Sequence, residues 1–243
     1  MMYVIFKKEI RSFLSSLIAY VVMIVFLIAT GLFMWILPDY NVFDMGNSNL
    51  DTLFGMAPWL FIFLISAITM RSFSEEKKSG TIEVLTTKPI NDMAIILGKY
   101  FAGVALVIFS LLPTFIYVYT VYELGAPQGN IDMGAITGSY LGLLLLASSF
   151  VAIGIFASAI TDNQIVSFIV SMFLCYSFYS LFDLLANFNL LGTWDSVVAS
   201  LGISAHYQSI SRGVIDSRDL IYFFTFNLAF IWGTKTVFGS RKW

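Results

Sequence analysis

The chain has 243 residues, of which 58% are hydrophobic and 12% charged, and its mean hydropathy is +0.85. A water-soluble domain carries about 25% charged residues, so this composition excludes a soluble globular protein; the formal net charge of -2 is uninformative as a sum, its distribution along the chain carries the information, and nucleic acid is not expected as a partner. The single cysteine, Cys175, excludes an intrachain disulfide and a cysteine zinc cluster.

The apolar residues gather into stretches of about 18 to 25, the length that a hydrocarbon core of about 30 Å requires. The expected fold class is an all-α integral membrane protein, one transmembrane domain over residues 1–243 with six spans. Residues 2–13 set Phe6, Ile10 and Phe13 against Lys7, Lys8 and Arg11 at helical spacing, the pattern of a helix lying in the membrane interface. A plain basic flank ahead of the first span fits that segment equally well.

The first span is expected over residues 15–37, ending at Pro38-Asp39. It is too long for the apolar region of a cleavable signal and should stay in the membrane. A polar stretch with Asp39, Asp44 and Asp51 leads to the second span, 53–70. Pro58 and Trp59 read there as its outer end, where proline in a first turn costs little and tryptophan suits the interface. The third span, 100–122, carries Pro113, which removes a backbone donor and should kink it. In the fourth, 133–160, Gly134, Gly138 and Gly142 recur every four residues, so that a neighbouring helix can approach closely. The fifth, 165–185, has Asp183 near its outer end, an interfacial carboxylate. Residues 186–219 are less apolar and read as an extramembrane or re-entrant excursion, with His206 as a solvated polar residue; the sixth span follows at 220–238.

Basic residues orient this topology. One side receives Lys7, Lys8, Arg11, Arg71, Lys77, Lys78, Lys88, Lys99, Lys235, Arg241 and Lys242, and the other Arg212 and Arg218, eleven against two. The positive-inside rule then puts both termini and the 71–99 loop in the cytoplasm. No HExxH motif is present, and Gly98-Lys99 lacks the upstream glycine of a P-loop, so neither zinc chemistry nor nucleotide binding by a P-loop is expected, and the chain is not read as an enzyme.

The 71–99 loop is more than a charged connector. Residues 74–80 are hydrophilic and helix-compatible, Gly80-Thr81 breaks them, Ile82, Val84 and Leu85 restore an apolar surface, Pro89 stops it and Asn91-Asp92 can cap a new helix. That apolar patch has to be buried, either by a docking cytoplasmic protein or against the chain's own membrane-embedded part.

The run Arg71-Ser72-Phe73-Ser74-Glu75-Glu76-Lys77-Lys78-Ser79-Gly80-Thr81-Ile82-Glu83-Val84-Leu85, with Lys88-Pro89-Ile90 and Leu97-Gly98-Lys99 after it, resembles the pattern between spans two and three of ABC type-2 exporter permeases. Six spans, an N-terminal interfacial helix and a re-entrant excursion before the last span extend the resemblance over the whole chain, and among these permeases it is similar to those associated with bacterial gliding motility. The resemblance implies a multi-pass permease subunit of the bacterial inner membrane with no cofactor of its own, ATP and Mg being bound by a separate cytoplasmic ABC ATPase. It implies that residues 75–89 form the coupling element, with Glu75 and Glu76 pairing to basic ATPase residues. Gly80 and Thr81 would make the turn, Ile82 and Leu85 would fill the ATPase groove, and Glu83 and Pro89 complete the element. It further implies that two permease halves, identical or different, meet through their first and fifth spans. A secondary carrier or channel would instead need charged or broken-helix sites at mid-depth, and Pro113 is almost all the sequence offers. A scaffold or anchor subunit of a motility or secretion assembly is the third reading.

Overall fold

A computed structural model of the protein describes residues 2–46, 48–86, 90–188 and 192–240. Every regular element among them is helical, and six stretches are long and apolar enough to cross a membrane. Helix α1 (Met2–Leu14) precedes the spans, and the chain breaks at Ser15-Ser16, where Ser16 Oγ accepts the Ile18 N–H and caps α2 (Leu17–Trp35). One turn, α3 (Val42–Met45), leads to α4 (Asp51–Thr69); then come α5 (Ser74–Lys78), α6 (Thr81–Thr86) and α7 (Asp92–Leu111). A 3-10 turn at Leu112–Thr114 connects α7 to α8 (Phe115–Leu124), so Pro113 interrupts the third span as its missing N–H requires. Next are α9 (Met133–Ile160) and α10 (Gln164–Tyr176). A π turn at Ser177–Leu181 joins α10 to α11 (Phe182–Asn187), and α12 (Asp195–Ala199), α13 (Ile203–Ser211) and α14 (Ser217–Gly239) complete the chain.

Helix α9 is the axis, packing on α4, α7, α10, α13 and α14. Of its most apolar window 78% is buried, against 22% for the spans starting at Leu17, Gln164 and Ser217. Lipid tails are as apolar as leucine, so close contact and interhelical hydrogen bonds, rather than escape from water, must hold these helices together. The closest approach is at Gly154, where a Cβ would stand 2.7 Å from Thr69 Cβ of α4. At Gly103 of α7 it would meet Val151 at 2.8 Å, and at Gly98 it would meet Ile5 of α1 at 2.9 Å. Ser66 and Ser171 hydroxyls join α4 to α10 at 2.8 Å, and Asn227 Nδ2 of α14 donates to Ser148 Oγ of α9 at 3.0 Å.

Two expectations need correction. Helix α4 starts at Asp51, so Pro58 lies two turns inside it rather than in its first turn. A proline there leaves the carbonyl four residues earlier without its helical donor. That carbonyl belongs to Phe54, and it accepts a 2.7 Å hydrogen bond from the buried Tyr207 hydroxyl of α13. His206, expected to be solvated, is held between elements: Nδ1 lies 2.7 Å from Asp219 Oδ1, Nε2 lies 2.9 Å from the Ser200 carbonyl, and the ring stacks on Tyr222. Helix α13 of the excursion is therefore a packed part of the fold. Asp183, on α11 just before the excursion, accepts from Ser204 Oγ.

The glycine series of α9 faces this excursion. A Cβ on Gly138 would come within 2.7 Å of the Ile210 carbonyl oxygen and 2.9 Å of Gly213 Cα, and one on Gly142 within 3.3 Å of the Tyr207 ring. At Gly134 it would meet only the Asp132 carboxylate, which caps the same helix.

Candidate functional site

The charged elements converge at one end of the bundle, opposite α13. Phe73, fully buried beside Phe238 of α14, anchors the chain where it leaves α4. The N–H groups of Phe73 and Ser74 both donate to Ser158 Oγ of α9, at 2.9 and 3.1 Å, and Ser158 donates in turn to the Met70 carbonyl at 3.0 Å. One hydroxyl thereby satisfies the end of α4 and the start of α5 together. Lys77 adds a second tie to α9, donating to the Ala159 carbonyl and lying 3.5 Å from Asp162.

Behind α5 sits a charge-balanced cluster of four side chains. Lys99 Nζ of α7 lies 2.9 Å from Glu9 Oε1 of α1 and 3.0 Å from Glu76 Oε1 of α5, donates to the Ser72 carbonyl at 2.6 Å, and stands 5.0 Å over the Phe73 ring. Lys8 Nζ closes the ring at 2.7 Å from Glu76 and 3.4 Å from Glu9. Lys99 and Glu9 are almost fully buried, and Glu76 Oε2 is a buried oxygen without a partner among the described residues. Withdrawal from water lowers the pKa of the Lys8 ammonium, but its hydrogen bond to Glu76 and the nearby Glu9 charge outweigh that and hold it above the ordinary lysine range. Glu75 forms a two-bond pair with Arg71, both contacts at 2.8 Å.

The structure locates most of the expected coupling element. Gly80 has φ +69°, the left-handed turn conformation glycine adopts without strain, and nothing lies within 4 Å of where its Cβ would be. Lys78, Ser79, Gly80, Thr81 and Glu83 are exposed, forming a polar tip. Ile82 is buried within the chain's own core, which is the second of the two fates open to the apolar patch. The Leu85 side chain and Pro89 lie outside the described residues. Glu75 and Glu76 have their cations within the chain. Asn91 caps α7 as its position suggests, accepting the Met93 N–H at 3.1 Å.

Sequence reasoning missed the cluster. Lys8 and Lys99 read as topogenic charges, and Lys99 as the last residue before a span; α7 begins at Asp92, so Lys99 is two turns inside a helix. The available signal was Glu9, one helical turn beyond Ile5 on the face of α1 that meets Gly98.

Six apolar spans with α9 at their centre, and a charged helix-turn-helix projecting at one end, define a multi-pass α-helical membrane protein. The family model for the ABC-2 family transporter protein matches residues 36–232, and the chain belongs to that family. It is accordingly a non-catalytic, membrane-embedded permease component of an ABC transporter, whose ATPase lies in a separate subunit. No curated protein matches the chain.

Proposed function

We propose that the protein is the permease half of an exporter in a bacterial inner membrane, with both termini cytoplasmic, and that a separate ATPase moves it by gripping the tip around Gly80. The observation that carries this reading is the fastening of α5 to α1, α7 and α9 by the ion cluster, the Ser158 bonds and Lys77. A displacement applied to the tip reaches three helices through these contacts, and rigid helices carry it into the membrane. Glu75, Glu76 and Ile82 act in this reading as the fastening, while Ser79, Gly80, Thr81 and Glu83 form the gripped surface, with Leu85 and Pro89 completing the element. ATP and Mg are handled by the ATPase alone.

The second permease half, a copy or a different chain, meets the exposed apolar faces of α2 and α10, where Leu17, Ile24, Ile28, Ile165, Ile169 and Phe173 stand unpartnered. Full-length resemblance to the gliding-motility permease subunit GldF supports a place in that machinery. The test uses Ser79→Cys, since native Cys175 is buried. A membrane-impermeant thiol reagent should label it in inside-out vesicles and not in intact cells. Gly80→Pro and Glu83→Lys should insert normally yet lose co-purification with the cognate ATPase. Labelling from the periplasm, or normal co-purification and activity in both variants, overturns the reading.

A further inference from the structure

Two cavities lie along α2 and α4. The first, about 410 Å³, opens at the α1 end; its polar wall holds Lys8, Arg71 and Glu75 and its inner wall Ile18, Ala19 and Ala67. The second, about 320 Å³, continues deeper along the same pair of helices and is lined by apolar side chains alone, among them Val21, Val25, Leu60, Phe63 and Phe168. Ala67 lines both, and on α2 the lining passes from Ile18 to Val25, a run of about 10 Å along a helix. The first is a charged chamber, and the second is an apolar groove deeper along the same pair of helices.

Among the described residues, Arg71 and Lys8 keep donors without a protein acceptor. Arg71 uses Nε and Nη2 on Glu75 and Nη1 on Ser16 Oγ at 3.3 Å, three of the five N–H groups a guanidinium carries. Lys8 is half-exposed and directs its ammonium at Glu76 and Glu9, which accounts for two of three protons. These remaining donors suit phosphate oxygens, for which a guanidinium fork is well shaped. Around the chamber three cations (Lys8, Arg71, Lys99) balance three carboxylates (Glu9, Glu75, Glu76). A ligand with no net charge fits that wall without breaking an ion pair, whereas an excess anion or cation does not.

We propose that the two cavities hold one phospholipid with a zwitterionic phosphate-ammonium headgroup, its phosphate on Arg71 and Lys8, its ammonium against Glu75, and an acyl chain between α2 and α4. Charge complementarity selects this occupant over a helix of a second copy, whose apolar surface would meet the ionised chamber. The bound headgroup bridges α1 to α5 and to the turn at Ser79 and Thr81, so occupancy stiffens the link between the interfacial helix and the tip. The inference requires α1 to lie at the membrane surface and does not depend on an ATPase gripping the tip.

Native mass spectrometry of the delipidated full-length protein in detergent provides the test, with phosphatidylethanolamine, phosphatidylglycerol and water-soluble phosphoethanolamine as probes. One phosphatidylethanolamine per chain should be retained in preference to phosphatidylglycerol, and phosphoethanolamine should not bind. Arg71→Gln, which removes phosphate donors, and Ala67→Trp, which obstructs both cavities and leaves every charge in place, should each weaken retention by about tenfold or more, the scale of one lost charge-assisted hydrogen bond. If Arg71→Gln fails to fold, Ala67→Trp decides. Equal retention by wild type and Ala67→Trp overturns the proposal. So does phosphoethanolamine binding as tightly as the lipid, which would make this a soluble-phosphate site.

Discussion

The hydrogen bond from Tyr207 to Phe54 offers a double-mutant test whose outcome depends on a proline. Tyr207→Phe removes one oxygen from a buried 2.7 Å contact and strands the Phe54 carbonyl in apolar surroundings, because residue 58, the normal helical donor to it, is proline. A buried acceptor left unpaired costs about 1–3 kcal/mol in water-soluble proteins, and membrane hydrogen bonds run smaller, about 0.6 to 2 kcal/mol. A loss of about 1–2 kcal/mol is therefore expected for Tyr207→Phe in the native background. In a Pro58→Ala background the new N–H of residue 58 restores the i to i−4 bond, and the same substitution should then cost less than about 0.5 kcal/mol, a coupling of about 1 kcal/mol. Thermal melts of the four proteins in one detergent give the order, and reactivity of a cysteine at Gln208 reports release of α13 directly. Additive effects of the two substitutions would refute the proline as the reason for the tyrosine.

Lys99→Met should destabilise the fold by about 3 kcal/mol, because it leaves Glu9 and Glu76 facing each other with Lys8 as their one remaining cation; adding Glu9→Gln should recover part of the lost melting temperature. Gly154→Leu must push Thr69 aside and should cost about 1–3 kcal/mol, read as lower detergent-resistant yield, with Thr69→Ala relieving part of it. Gly80→Ala forces a side chain into the left-handed region at about 1–2 kcal/mol, and limited proteolysis should cut the tip sooner while the melting temperature of the bundle stays unchanged. The Lys8 ammonium has its pKa raised above the ordinary 10.5 in the folded chain. Its stabilisation is therefore complete below that value and lost as pH rises through the raised one. Exchange protection of α1, corrected for intrinsic rates, should be flat across the neutral range and fall only in strong alkali; a fall near neutrality would refute the ion-pair account.

The six-span helical fold was legible because span length answers to bilayer thickness, a property of consecutive residues. The break at Gly80, the cap at Asn91 and the interruption at Pro113 were legible for a similar reason, since each depends on backbone chemistry within a few positions. Pro58 was misread because its place in α4 depends on where that helix starts, and the sequence around Asp51 carries no strong cap: Leu50 precedes the helix and makes no capping side-chain bond.

Composition and local order along the chain were enough to put this protein in a membrane and to mark the segment around Gly80. Three-dimensional packing alone decided that Glu76 finds Lys8 across 68 positions, that Glu9 finds Lys99 across 90, and that Tyr207 reaches Phe54 across 153 to supply the donor that Pro58 lacks. Such partners are chosen by which helix faces meet around α9. Those faces follow from glycine-scale fit between distant surfaces, which residues read in order along one segment do not contain.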